Sequence, residues 1–502
     1  MRESNRAWGS IALLAAAGIA LSGCAPAVDD SASARQAETF PGVYAQSIEW
    51  GECDLSEIED RAAKRLADRG APLDEYECAM VEAPLDWNDP ANHETIELSV
   101  NRRAATGGGE PIGTLFVNPG GPGGSGVDLA YRVSVMPGAE PVTERYDVVG
   151  FDPRGIGRSS AIDCPGFSSV PELEIALCAD ANPLAHSMGT SQVARDMELL
   201  RALVGDESAH YLGYSYGTVL GATYATLFPE RVGRMVLDSA IAARWASPQQ
   251  TFAQQASTAH EVVELLSTCA TEYAQADCPI DSEEALQQSM QRLTEAPLVA
   301  SDGTEIDGGL LFNYLASSLY GIPETRDLAL ETLAGAMRGE QQSIDGIVES
   351  MASGGSAVGP QGSIVRCHSF PADPDLVGFV EYVEEAGIPE LLGGPEVDDE
   401  SLRPWVDLSC DALPESGDDI TESFSGSPDA PILVVGVTGD HATPYEGSKQ
   451  LVRELGNARL LTLDGHGHGA SFAERSSCVN DATVAYLLTG ELPAEGTVCK
   501  VD

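Results

Sequence analysis

The chain has 502 residues, 43% of them hydrophobic, enough to bury a large core in one big domain with insertions or in two domains. Lys and Arg number 28 against 78 Asp and Glu, a formal charge of −50. A surface this acidic repels nucleic acid and anionic lipid headgroups, so neither is expected as a partner, and it suits a chain kept soluble outside the cell.

At the N-terminus, Arg2 and Arg6 precede an apolar run from Ile11 to Leu21 that is too short to span a bilayer. The run ends in Leu21-Ser22-Gly23-Cys24, which resembles a bacterial lipoprotein signal. Residues 1–23 therefore read as a signal peptide and Cys24 as a lipidated N-terminus, with an ordinary secretory signal as the alternative. Both readings export the chain, either to the outer face of the cell membrane as a lipoprotein or into the medium. Membrane contact is expected through the lipid anchor only, and needs more than one acyl chain to be stable. Residues 24–46 are small, polar and aperiodic, and read as the lipidated cysteine with a flexible tether.

Cysteine usage agrees with export. Apart from Cys24 there are ten cysteines, an even number that suits an oxidising compartment. Their spacing suggests neighbour pairs in chain order, Cys53–Cys78, Cys164–Cys178, Cys269–Cys278, Cys367–Cys410 and Cys478–Cys499, each clipping a local loop. The sequence leaves other connectivities open. With no Cys-x-x-Cys pair, zinc and redox readings are weak.

Further along, Tyr76–Trp87 and Thr95–Arg103 alternate in polarity and suit antiparallel edge strands. Apolar runs then recur at Thr114–Val117, Tyr146–Phe151, His210–Gly213, Met235–Leu237, Ile432–Gly436 and Arg459–Leu463. Helical patterns, such as Ser191–Leu203 and Thr218–Phe228, lie between several of them. Strands alternating with helices predict an α/β fold with a mostly parallel, doubly wound sheet covered on both faces. From 241 to 426 the rhythm is helical: Phe252, Ala256, Ala259, Val263 and Leu266 share one face, and more helices follow at Ser282–Leu293 and Pro323–Met351. The core is thus expected in two parts, 47–240 and 427–502, with a large, mostly helical insertion between two sheet strands.

Gly213-Tyr214-Ser215-Tyr216-Gly217 fits G-x-S-x-G, a tight strand-to-helix turn that lifts a serine hydroxyl clear of the sheet at a helix N-terminus. A serine needs a base, and the base an orienting acid. Asp440 follows the Ile432 strand, and His466 and His468 follow the next one. Asp238 also follows a strand, but Asp440 precedes the histidine strand directly and is the preferred acid. His466 and His468 remain alternatives as base, and His441 reads as a turn residue. The H-x-H pair has no convincing third metal ligand, so no metal is expected. Asn118-Pro-Gly-Gly-Pro-Gly-Gly-Ser-Gly126 is the loop expected to complete an oxyanion hole, with Gly120 or Gly121 donating beside the Tyr216 N–H. A phosphate loop is the competing reading, but the Lys-Ser/Thr ending is missing, and Pro119 and Pro122 fit a dinucleotide fingerprint poorly. Asp152-Pro-Arg-Gly-Ile-Gly-Arg-Ser159 reads as structural support, with Arg154 available to hold a carboxylate.

Taken together, Asn118–Gly126, Asp152–Ser159, Leu212–Asp238, Val434–Tyr445, Asp464–Gly469 and Tyr486–Pro493 resemble the secreted tripeptidyl aminopeptidases of the α/β-hydrolase family. These are related to proline iminopeptidases and to mycobacterial cell-envelope serine hydrolases. The resemblance implies an α/β-hydrolase fold and Ser215, Asp440 and His468 as nucleophile, acid and base. It selects His468 through the motif Gly467-His468-Gly469. It also implies that the insertion is a lid and that peptides are cleaved from a free N-terminus without a cofactor, an esterase with the same triad being the alternative. The sequence departs from the family at Ser369, after His368, where members often carry an acid two residues beyond the lid cysteine. Glu381, Glu384 and Glu385 are the lid acids available to replace it.

Overall fold

Leu115, Phe116 and Val117 are consecutive, apolar and fully buried, which a strand achieves only when both faces of its sheet are covered. The computed structural model describes residues 31–55, 64, 66–164, 171–245, 247–272, 278–321, 323–353, 359–370, 376–394, 397–398, 402, 410, 413 and 423–502. Residues 1–23 and Cys24 lie outside them.

Ten strands form one sheet: β1 (Gly51–Glu52), β2 (Glu77–Pro84), β3 (Thr95–Arg103), β4 (Gly113–Asn118), β5 (Tyr146–Phe151), β6 (Ala209–Tyr214), β7 (Val232–Asp238), β10 (Ile432–Gly439), β11 (Ala458–His466) and β12 (Val498–Lys500). Their order is β1-β2-β3-β5-β4-β6-β7-β10-β11-β12. The β1–β2, β2–β3 and β3–β5 pairs are antiparallel, and the rest are parallel. Alternate residues serve opposite faces: Phe116 joins the core on one side, and Leu115 and Val117 the core on the other. Helices α4 (Pro171–Ala181), α5 (Thr190–Val204), α6 (Tyr216–Leu227) and α14 (Tyr445–Leu455) cover the first face, and α3 (Gly126–Val133) and α15 (Ser477–Thr489) the second. This is the doubly wound α/β sheet expected from the strand–helix rhythm.

The N-terminal segment departs from expectation. The tether expected over 24–46 gives way at Ser31, whose hydroxyl caps helix α1 (Ala32–Thr39), and α2 (Pro41–Tyr44) follows. Ser33, Gln36 and Val43 are buried, so this polar stretch is docked. The polar partners of α1 are groups of α5 and Glu230, which hydrophobic periodicity does not register.

Between β7 and β10 the chain forms α7 (Pro248–Glu272), α8 (Glu283–Glu295), the two-stranded β8 (Leu298–Val299) and β9 (Glu305–Ile306), α9 (Gly308–Ser318), α10 (Pro323–Met337), α11 (Gln341–Ser353), α12 (Pro360–Ser369) and α13 (Leu376–Ala386). The helical stretch expected over Pro323–Met351 consists of two helices, parted where Gly339 turns at φ +80°. The insertion has its own core, with Val262, Leu266, Leu286, Leu315, Leu333 and Ile347 packed together. It is also rooted in the main core, where α12 contributes Ile364, Val365 and Cys367.

The disulfides are Cys53–Cys78, Cys164–Cys178, Cys269–Cys278, Cys367–Cys410 and Cys478–Cys499. Arg154 is fully buried and holds the equally buried Asp196, with Nη2 to Oδ1 at 2.6 Å and Nε to Oδ2 at 2.8 Å. It also donates to the Leu85, Pro84 and Ser187 carbonyls, tying β2 to α5. Arg154→Ala leaves the Asp196 charge buried and unpaired, so we expect a loss of about 3–5 kcal/mol, read as a lower urea midpoint.

Candidate active site

Parallel strands in register bring their carboxyl ends to one edge of the sheet. Asn118 lies beside Gly213, Tyr214 beside Asp238, and Gly439 beside His466. Each loop leaving these ends carries one group of the site.

Ser215 follows β6 directly and caps α6 with φ 55° and ψ −127°, a left-handed backbone for a side-chain-bearing residue. Such strain costs on the order of 1–3 kcal/mol and marks an over-determined position. The turn is held by the Ser215 N–H to the Asp238 carbonyl at 2.9 Å. Gly213 and Gly217 face each other so closely that a Cβ on Gly213 would stand 2.6 Å from the Gly217 carbonyl oxygen. The glycines of the motif are therefore required by contact.

The Asn118–Gly126 loop packs onto this turn. A Cβ on Gly120, at φ +89°, would lie 2.4 Å from the Tyr214 carbonyl oxygen and 2.9 Å from the Tyr216 nitrogen. The Gly120 N–H is engaged by Asn118 Oδ1 at 2.9 Å. Of the two glycines expected from sequence as oxyanion donors, Gly120 therefore has its N–H already engaged.

Asp440 and His468 meet at the edge: His468 Nδ1 lies 3.0 Å and 3.1 Å from the two Asp440 oxygens. Asp440 also accepts the N–H groups of Ala442 and Thr443 and the Thr443 hydroxyl at 2.9 Å. Burial works to raise the Asp440 pKa, but the charge and hydrogen bond of His468 outweigh it and hold the carboxyl below its ordinary value. For His468, burial works to lower the pKa, and Asp440 outweighs it, so the imidazole is raised above its ordinary 6.5. The two shifts describe one coupled pair.

The residues left as alternatives lie elsewhere. His466 Nδ1 pairs at 2.7 Å with Glu261 on α7, its side chain 58% exposed against 5% for the glutamate. Asp238 accepts the N–H groups of Ala470 and Ser471 at 3.0 and 2.6 Å, and so props the loop that carries His468. His441 lies in the bend after β10, where it is buried against Tyr320, ring centroids 4.4 Å apart, and burial pushes its pKa down to about 3. Tyr320 also stands edge-on to His468 at 5.5 Å.

Sequence reasoning missed how closely α7 grips the acid loop. Gln254, Ser257 and Thr258 donate to the carbonyls of Ala442, Asp440 and His441 in turn, and Glu261 takes His466. The spacing 254, 257, 258, 261 is one helical face, and polar residues on such a face ordinarily read as solvated. Ser369 is fully buried, donating to the Val365 carbonyl and accepting from the Thr190 N–H at 3.0 Å. Glu381, Glu384 and Glu385 are exposed on α13. No group of metal-holding side chains occurs among the described residues.

A serine on a strained turn, an imidazole oriented by a carboxylate, and a helix start with a glycine loop packed against it are the set that acyl transfer through a covalent intermediate requires. A family model described as alpha/beta hydrolase fold matches residues 113–275, and one described as TAP-like protein matches residues 401–499. The chain is 29% identical to the serine protease Hip1 of Mycobacterium tuberculosis over 97% of its own length and 96% of that protein's. It is 27% identical to a tripeptidyl aminopeptidase of Streptomyces lividans, covering 84% of this chain and 83% of the relative. It is 29% identical to carboxylesterase B of Mycobacterium tuberculosis, covering 84% and 86%.

Proposed function

As a member of the α/β-hydrolase family related to the tripeptidyl aminopeptidases the chain is a serine hydrolase, and we propose that it cleaves short peptides from a free N-terminus as an exported, lipid-anchored enzyme. Ser215 is the nucleophile, His468 the base and Asp440 the acid. The insertion over 241–426 serves as the lid, Cys24 carries the lipid, and no cofactor is needed. The observation that carries the reading is the His468–Asp440 hydrogen bond at the strand edge that also bears the strained Ser215.

Because Nδ1–H donates to Asp440, the Nε2 lone pair is left to take the Ser215 proton as Oγ attacks the substrate carbonyl. The Tyr216 and Gly121 N–H groups then hold the oxyanion. His468 returns the proton to the leaving amine, and water, deprotonated by the same imidazole, releases the acyl group.

This base works only when neutral. Its pKa is raised above 6.5, so kcat/KM should fall as pH drops through that raised value, with the acid-limb midpoint above 6.5. A pH–rate profile on one peptide checks it; a midpoint below 6.5 contradicts the assignment.

The esterase reading draws support from Ser369, whose hydroxyl is consumed inside the core where an ammonium-binding acid was expected. Matched chromogenic peptides, free or acetylated at the N-terminus, beside short- and long-chain p-nitrophenyl esters decide between the two. Cleavage of free-amine peptides alone supports the aminopeptidase. Ester hydrolysis without peptide cleavage overturns it.

A further inference from the structure

The lipid-anchored reading acquires a direction from the way α1 is docked. Only six residues, Ala25 to Asp30, separate Cys24 from Ser31. Seven Cα steps reach at most about 25 Å when fully extended. From Ser33 onward the chain is fixed to the body. The Ser33 hydroxyl donates to Glu198 Oε1, its N–H donates to Glu230 Oε1 at 3.0 Å, and Arg201 Nη2 reaches its Oγ at 3.4 Å. Gln36 Nε2 donates to the Arg195 carbonyl at 3.0 Å.

These partners mark one end of the sheet. Glu230 lies in the short turn Pro229–Arg231 that feeds the amino end of β7 at Val232. Arg201, in the last turn of α5, also holds the carbonyl of Asp206, just before the amino end of β6 at Ala209. Ser215 leaves the carboxyl end of that same strand. The docked start of α1 and the serine are therefore at opposite ends of β6. Beyond the serine, α7 adds further thickness, since it sits on the 440–442 loop at that same end.

We propose that lipidated Cys24 holds the amino-end face of the sheet toward the membrane and aims the Ser215 site, under the insertion, away from it. The proposal rests on the lipid anchor described above. β6 spans about 20 Å and the α7 layer beyond its carboxyl end adds about 10 Å, together more than a leash of about 25 Å, so the amino-end face stays nearest the bilayer. The lipid surface lies opposite the amino-end face, and the acyl chains on Cys24 alone enter it. Substrate consequently arrives from the aqueous side, as peptide ends or water-soluble esters, and not as acyl chains held in the bilayer.

The test uses full-length lipidated protein on phosphatidylcholine vesicles and two fluorophosphonate probes, one soluble and one joined by a short linker to a phosphatidylethanolamine headgroup. It compares the natural chain with a variant carrying roughly 30 Gly/Ser residues between Asp30 and Ser31, which extends the maximal reach to about 130 Å. Flotation with the vesicles reports the anchor, and the soluble probe reports the serine, so the lipid-bound probe alone reports orientation. The soluble probe should label both proteins at one rate. The lipid-bound probe should label the natural chain at least about tenfold more slowly than the long-leash variant, because the short leash lowers the effective concentration of the probe at the site. Equal labelling of the two by the lipid-bound probe overturns the orientation. A natural chain that does not float removes the anchor and the proposal with it.

Discussion

Ser215→Ala is expected to lower kcat by about 10⁴–10⁶-fold while the protein stays folded. The loss is large because the hydroxyl is the atom that bonds to the substrate, and the imidazole and oxyanion donors then act only on water. The fold should persist because the turn is held by backbone groups, chiefly the Ser215 N–H to the Asp238 carbonyl, which alanine retains. The strained φ of 55° is occupied by either residue. Turnover of the preferred substrate and a thermal melt on the same sample check both halves. Retained turnover with an intact melt removes Ser215 from the role of nucleophile.

The second large effect is a ranking of the two histidines. His468→Ala is expected to cost as much as Ser215→Ala, since the two act as a unit and each is idle without the other. His466→Ala should cost less than about tenfold in kcat. Its ring points to Glu261 on α7, so its removal leaves a buried carboxylate without its partner, a stability cost of about 1–3 kcal/mol. Kinetics of both variants on one substrate, with urea midpoints alongside, separate chemistry from stability. The reverse ranking would make His466 the base.

Much of this site was legible in the chain because its chemistry sits in short, contiguous motifs. A G-x-S-x-G between a strand and a helix, a glycine-proline loop after an earlier strand, and an aspartate and a histidine at two later strand ends are local patterns. The ends of a parallel sheet bring such positions together by construction. The ten cysteines paired with their neighbours for a similar reason: each bridge closes a loop that the local fold already makes. Where a residue's role depends on a distant partner, the sequence was silent. His441 follows Asp440 directly, yet its environment is set by Tyr320 from the insertion. Gly120 and Gly121 are equivalent as letters, and only the Asn118 side chain distinguishes their N–H groups. The docking of α1 has no signature in the sequence, because hydrogen bonds to Glu198 and Glu230 leave no hydrophobic period to read.

By itself, then, the sequence determined the doubly wound α/β architecture, the helical rhythm of the insertion and the chain order of the candidate serine, aspartate and histidine. These follow from periodicity and turn chemistry, which act over a few residues. Tertiary structure decided that Asp238 props the histidine loop, that His466 belongs to Glu261, that Ser369 is consumed in the core, and that the N-terminus leaves from the end of the sheet opposite the serine. Those outcomes depend on which side chains meet across 100 residues or more, and such meetings are set by packing, to which local propensity is blind.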